Sequence, residues 1–429
     1  MIDIGRVPER AILVAAPHLE DSQELVDEHL EELGRLADTA GAQVVGQLVQ
    51  RLTAPTAALF IGRGKADQLR ERLERERATL VIFDEDLSPA QGSALEKRLA
   101  ARVMDRTELI LDIFALRART AEAKAQVELA QLQYLRTRLK RMWTHLSRTA
   151  GGIGARGPGE QQLETDRRLI DRRIARLRRE LGGISRSRET RRKARRDEFR
   201  VALVGYTNAG KSSILQALSG RELFVEDRLF ATLDSATRSV DLGDGYRALL
   251  TDTVGFIRKL PHHLVASFRA TLEEIQEADL LVHVVDAAAR NWEHQMEAVN
   301  EVLADLSLSG PVLLALNKVD QLTHAEEEAL RGRAAELYGP HVLTSVREEG
   351  GLEPLRAALR ARTRASRPTV RVILASEDGG TLAEVYREGE VLERRQNGSR
   401  IELTARVPVA VVGRWRRKRG VEVRGSDAA

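Results

Sequence analysis

Between Gly205 and Ser213 the chain reads GYTNAGKSS. The apolar run VALV precedes it and SILQALSG follows, so a strand feeds a glycine-containing turn that opens into a helix. The spacing G-x-x-x-x-G-K-S in that setting lets backbone N–H groups converge on phosphate at the positive end of the helix. Gly205, Tyr206, Thr207, Asn208, Ala209 and Gly210 form the expected cradle, with Ser213 at its far end. Lys211 is placed to reach the β- and γ-phosphates, and the Ser212 hydroxyl to hold Mg2+. The chemistry such a loop serves is hydrolysis of a nucleoside triphosphate.

Further segments, in order along the chain, specify the base and the switch. LLTDTVG (249–255) ends a strand with D-x-x-G, so Asp252 can bind Mg2+ through water and the Gly255 N–H can sense a γ-phosphate. PVLLALNKVD (311–320) ends a strand with N-K-x-D. Asp320 can accept from the ring N–H and exocyclic amine of guanine; adenine has no such donor pair and would leave the carboxylate unpaired. Asn317 is expected to brace the base-side loop, the Lys318 stem to pack along the base, and LTSV (343–346), with Thr344, Ser345 and Val346, to add a last backbone contact. FATLDSATR (230–238) lies where a first switch belongs: Phe230 enters the nucleotide-contact set and Thr232 is the candidate second Mg2+ ligand, with Thr237 its rival. The expected cofactors are therefore GTP or GDP and Mg2+. Lys211, Thr232 and Gly255 form the catalytic set, and Ser212 and Thr232 are the metal ligands.

Many GTPases place Gln directly after D-x-x-G to orient the attacking water. Phe256 stands there and cannot do so, which predicts slow intrinsic hydrolysis accelerated by a partner. Arg258 and Lys259 are read as partner contacts rather than catalytic groups in cis, and His262 and His263 as solvated or capping residues.

These residues need elements to carry them. Residues 11–116 alternate apolar runs with amphipathic helices, as a parallel sheet requires. GRGK (62–65) is too short for a phosphate loop and reads as a tight turn. Leu132, Leu135, Leu139, Met142 and Leu146, then Ile170, Ile174, Leu177, Leu181 and Ile184, recur at three- and four-residue steps; His145 lies within the first of these helices. Each set puts a narrow apolar seam on a helix, and the short connection predicts an antiparallel hairpin. Its tip, GGIGARGPGE (151–160), carries fixed Arg156, Pro158 and Glu160 among glycines that permit close backbone approach. From Arg167 to Arg200 basic residues outnumber acidic ones by about three to one. A basic hairpin with a small tip suits a narrow crevice in folded nucleic acid.

The fold class is α/β, in four parts: an N-terminal α/β domain (1–116), the antiparallel hairpin (117–197), a P-loop GTPase domain with a doubly wound sheet (198–366) and a small α+β domain (367–429). The last ends in the basic knot RWRRKR (414–419), which can touch RNA or serve only as structure. The 429 residues include no cysteine, which excludes disulfides and thiol chemistry, and a 4% aromatic share argues against base stacking on aromatic platforms. With no apolar run of signal-peptide or bilayer length, a cytoplasmic, monomeric protein without membrane contact is expected.

The chain resembles the HflX-type translational GTPases, related to the Obg-like group. The resemblance is carried by VIFDEDLSPAQ (81–91), DRTELILDIFALRART (105–120), AQVELAQLQYL (125–135), GGIGARGPGEQQLETDRR (151–168), GYTNAGKSS (205–213), LFATLDSATR (229–238) and DTVGFIRKLPHHLVASFRATLEE (252–274), and covers the chain to about residue 290. It implies GTP and GDP binding, association with the large ribosomal subunit and its RNA, dissociation of stalled or idle ribosomes, and approach of the 151–160 tip to the peptidyl transferase centre. It also implies an apolar residue after D-x-x-G. The chain departs from the family in having Ser213 where Thr is usual and Asp234-Ser235-Ala236 where Asp-Pro-Thr is frequent. Two rival functions are a large-subunit assembly factor and a GTP-regulated RNA-remodelling protein; a membrane-associated GTPase lacks any anchor signal.

Overall fold

The computed structural model describes residues 8–149, 158–193, 198–221, 226, 228–259, 274–306, 308 and 310–425. The tip residues 151–157, with Arg156, and His262 and His263 lie outside the described residues, as do the side chains of Leu139, Met142, His145 and Leu146. By its internal contacts the chain divides into two units: 1–185 with 225–234 and 254–272, and 186–224 with 235–253 and 273–429. Among the described residues no helix is long and apolar enough to cross a membrane.

The first unit begins with β1 (Arg10–Ala15), α1 (Gln23–Thr39), β2 (Gln43–Val49), α2 (Arg63–Glu76), β3 (Leu80–Phe83), α3 (Pro89–Leu99), β4 (Arg102–Asp105) and α4 (Arg106–Arg117). The strands form an all-parallel sheet in the order β2-β1-β3-β4. Residues 11–14 and 80–83 are buried throughout, as the middle strands of a sheet covered on both faces must be. Gly62 is the N-cap residue of α2 and Arg63, Gly64 and Lys65 form its first turn, so GRGK opens the helix and is not the expected tight strand-to-helix turn. The strand β4 and the helices α3 and α4 complete a doubly wound layer that the alternation of elements implied but did not delimit.

The hairpin follows as α5 (Ala121–Thr149) and α6 (Pro158–Lys193). Ala125 and Leu129 pack with Ile174 and Leu177, flanked by Leu132, Ile170 and Leu181. Arg173 pairs with Glu128 and, further along α5, Arg136 pairs with Asp171, so the two helices run in opposite directions. Leu135 was expected in the seam and is 47% exposed instead.

The second unit holds β5 (Phe199–Gly205), α7 (Lys211–Ser219), β6 (Ala236–Gly243), β7 (Tyr246–Asp252), β8 (Leu280–Asp286), α8 (Trp292–Asp305), β9 (Val312–Asn317), α9 (His324–Leu337), β10 (His341–Thr344) and α10 (Glu353–Ser366). Its sheet has the order β10-β9-β8-β5-β7-β6, parallel except for β6. The order reverses at β5, so the loops after β5, β7 and β9 open at the carboxyl edge, where such sheets bind ligands. Last come β11 (Thr369–Ala375), α11 (Gly379–Glu388), β12 (Glu390–Asn397), β13 (Arg400–Arg406), α12 (Val409–Arg416) and β14 (Glu422–Gly425). This β-α-β-β-α-β succession with an antiparallel sheet ordered β12-β13-β11-β14 is ferredoxin-like. The basic knot is partly structural there: Trp415 is fully buried, and Lys418 pairs with Glu384 at 3.0 Å.

His283 sits inside β8, 3% exposed, and its pKa is lowered to about 4, first by burial and then by the charge of Lys211. The unfolded chain takes up this proton near the ordinary value of 6.5, the folded chain only near 4. The corresponding stability is therefore complete above pH 6.5 and is lost as pH falls toward 4. On this basis His283 alone removes on the order of 2 kcal/mol between pH 6.5 and about 5. Thermal melts at the two pH values should show a smaller drop for His283→Leu than for the parent chain; equal drops would exclude His283 as a source of acid sensitivity.

Candidate guanine-nucleotide site

The phosphate loop is built on two backbone conformations that side chains resist. Gly205 has φ +152°, and a Cβ there would lie 2.2 Å from the Val284 carbonyl oxygen. Gly210 has φ +101°, and a Cβ would lie 2.3 Å from Asn317 Nδ2. That amide nitrogen donates to the Ala209 carbonyl at 2.9 Å. Asn317 thus reaches the phosphate loop as well as the 343–346 segment on the base side. Thr344 Oγ1 donates in turn to Asn317 Oδ1 at 3.2 Å.

Lys211 opens α7 and is 5% exposed. Its Nζ donates to the carbonyls of Gly205 and Tyr206 at 3.1 and 2.8 Å. Burial lowers its pKa to about 8, against the opposing pull of Asp252. Ser212 Oγ donates to Asp252 Oδ2 at 2.6 Å, so the hydroxyl and the carboxylate expected around Mg2+ meet at one point. The donor set, one hydroxyl and one carboxylate oxygen beside a buried lysine, fits a hard divalent cation that keeps several waters. Thr253 Oγ1 donates to the Leu203 carbonyl at 2.7 Å and locks the start of D-x-x-G onto β5.

At the base end, Asp320 lies in a 3-10 turn, Val319–Gln321, and accepts from Ser345 Oγ at 2.7 Å. Ser345 is fully buried and also accepts from the N–H groups of Arg347 and Glu348. One Asp320 oxygen is thereby oriented by a hydroxyl from the 343–346 segment. Lys318 has φ +65° and donates from Nζ to Asp286 Oδ2 at 2.5 Å. Val346 packs, half-buried, against the sheet core.

Asp286, His283 and Thr253 were not anticipated. Asp286 could have been found, because a carboxylate ending the run LLVHVVD sits at the same sheet edge as the other motifs. Thr237, the rival for the Mg2+ ligand, is inside β6 with its hydroxyl 3.0 Å from that of Thr251. Thr232, Phe230 and Gly255 fall in the two segments that group with the first unit. The Phe230 ring is 1% exposed and packs edge-to-face on Phe114, centroids 4.7 Å apart. Phe256 and Ile257 are buried, and Lys259 pairs with buried Asp84 at 2.6 Å.

A P-loop sheet whose carboxyl edge gathers the G-x-x-x-x-G-K-S loop, a Ser–Asp pair and the N-K-x-D segment is that of a guanine-nucleotide hydrolase. Three family models match in succession: "GTP-binding GTPase N-terminal" over 27–115, "GTP-binding GTPase Middle Region" over 117–195 and "50S ribosome-binding GTPase" over 200–318. The chain is 43% identical to GTPase HflX of Magnetococcus marinus, over 99% of both chains, and 42% identical to GTPase HflX of Escherichia coli, over 97% of both. It belongs to the HflX family of GTPases. Among solved structures it is similar to SsGBP in complex with GDP, at 25% identity and a TM-score of 0.46, covering 83% of this chain and 98% of that one.

Two outcomes follow from this geometry. Phosphate binding favours charged Lys211, so GDP affinity should be flat below pH about 8 and fall above it by up to roughly tenfold per pH unit. Titration of a fluorescent GDP analogue across that range checks this; Lys211→Arg, permanently charged, should show no bend. Asp320→Asn should lower GTP affinity by at least about 100-fold and raise affinity for xanthosine triphosphate, whose ring carbonyl suits an amide donor. An unchanged GTP/XTP preference would remove Asp320 from base recognition.

Proposed function

We propose that this GTPase binds the large ribosomal subunit in its GTP state and dissociates stalled or idle ribosomes, with the helical hairpin as the element that enters the RNA. The supporting observation is α6. It runs for 36 residues, roughly 54 Å. Arg168, Arg172, Arg173, Arg176, Arg178 and Arg179 are all exposed on it, and such a run favours phosphate. The seam to α5 makes it stiff, so it can carry a small glycine-rich tip, 151–160, to a crevice such as the peptidyl transferase centre.

In this reading the four parts foreseen along the chain are the functional divisions. Lys211 and the 205–210 backbone would hold the phosphates, Ser212, Thr232 and Asp252 would hold Mg2+, and Gly255 would sense the γ-phosphate. Asn317, Lys318, Asp320 and the 344–346 segment hold guanine. Mg2+, when bound, would supply charge neutralisation to the phosphates. Phe256 is buried and has no group to orient water, and Lys259 is engaged with Asp84. Hydrolysis then depends on the ribosome to position water or supply a group in trans, and it releases the factor. The protein acts as a monomer in the cytoplasm.

The test is sucrose-gradient sedimentation of vacant ribosomes with the protein and a non-hydrolysable GTP analogue, with GDP as control. Conversion of whole ribosomes to subunits, with the protein on the large one only in the analogue state, is expected. Intact ribosomes with the protein on neither subunit would overturn the ribosomal assignment, and binding confined to immature large subunits would replace splitting with assembly.

A further inference from the structure

The segment that carries Thr232 does not end in a free loop. Asp234, two residues on, places its carboxylate at the start of α5. One oxygen accepts from the backbone N–H groups of Arg119 and Thr120 at 3.2 and 3.3 Å, and the other accepts from the Thr120 hydroxyl. Thr120 is itself the residue that opens the helix: its Oγ1 accepts from the Ala123 N–H at 3.1 Å, and its carbonyl from Lys124 at 3.0 Å. A carboxylate there meets the unpaired N–H groups and the positive end of a 29-residue helix. Upstream, Glu226 pairs with Arg117 at 2.6 Å, and Phe230 is buried on Phe114. The segment is therefore fastened at both ends to the α4–α5 junction.

Two residues of chain span at most about 7 Å. Thr232 cannot take a position set by a γ-phosphate and its metal without Asp234 either following or leaving its cap. We propose that Asp234 is a positioning residue that links the nucleotide state at Thr232 to the base of the hairpin, so that the GTP and GDP states differ in how completely the α5 start is capped. The reading rests on Thr232 as the switch threonine. Because α5 is a continuous helix of roughly 43 Å, a change at its first turn is delivered along the hairpin. Linkage makes the effect reciprocal: whatever holds the hairpin shifts the preference for GTP over GDP. Thr120 and Asp234 are short-range partners from distant parts of the chain, and neither lies in the phosphate or base motifs.

Hydrogen exchange on the full chain reads this directly. With GDP and then a non-hydrolysable GTP analogue at saturation, the amides of Arg119, Thr120 and their neighbours in the first turn of α5 should differ in exchange rate by about fivefold or more. Asp234→Ala should abolish the difference and bring the affinities for the two nucleotides closer together. Asp234→Asn, which keeps an acceptor oxygen but no charge, should retain part of both effects and guards against a variant that fails to fold. Identical exchange at these amides in the two states of the parent chain overturns the coupling. A Thr232→Ala variant separates the two ideas: if its analogue-over-GDP preference is unchanged, the threonine assignment falls, while the coupling is decided by the amides.

Discussion

The link between Asn317 and the Ala209 carbonyl is the contact on which the nucleotide site depends. It joins the end of β9, just before the turn that holds Asp320, to the loop after β5, two strands away in the sheet. The link exists only because Gly210 has no Cβ to fill the space that Asn317 Nδ2 occupies. Its reach is extended by Thr344, which holds the other end of the same amide, and by Ser345, which orients Asp320. Phosphate cradle, base reader and the 343–346 loop are thus one hydrogen-bonded body. In the proposed reading, a guanine nucleotide bridging them would meet a preorganised surface and lose little of its binding free energy to ordering.

Within that body the charges are held at a cost. Lys211 is buried with two carbonyls, which satisfy two of its three donors but not its charge, and its lowered pKa records the deficit. The charge also acts on His283, which stays neutral inside β8. A polyanion at the loop relieves the first of these costs, which is the physical reason a buried lysine of this kind suits a phosphate site better than a core. The Ser212–Asp252 bond has the same character: two oxygens brought to 2.6 Å are a pair that a divalent cation can bridge with water.

The nucleotide motifs were legible because each pairs a backbone requirement with a side-chain role inside one short window. The parallel sheets were legible from their apolar runs, and the hairpin from its three- and four-residue steps. What could not be read depends on partners distant in sequence. The place of Phe230 beside Thr232 does not show where its ring packs; an aromatic ring goes where apolar area is deep, and Phe114, distant in sequence, supplies it. Leu135 obeys the spacing of its neighbours yet is exposed, because periodicity says which residues share a stripe and not how far the partner helix follows it. The knot RWRRKR reads as one basic patch, while Trp415 fills a core and Lys418 is paired with an acid from α11. In the ferredoxin-like end, strand order is set by pairing that no local window contains.

The same distance in sequence explains why the α5 cap matters. A helix cap is ordinarily a local matter, settled by a residue adjacent to the first turn. Here Thr120 does that work, and Asp234 adds a second acceptor from more than a hundred positions away. A local cap stabilises its helix in every state of the protein. A cap borrowed from a segment with another task stabilises the helix only while that task leaves it in place. The first arrangement makes a strut; the second makes a strut whose footing can be loosened. A stiff hairpin seated on such a footing needs no hinge within its length to register what happens at Thr232, and the contact energy required is modest. A charge-assisted hydrogen-bond set at a helix terminus is worth about 1–2 kcal/mol, within the range by which allosteric coupling free energies change ligand preference.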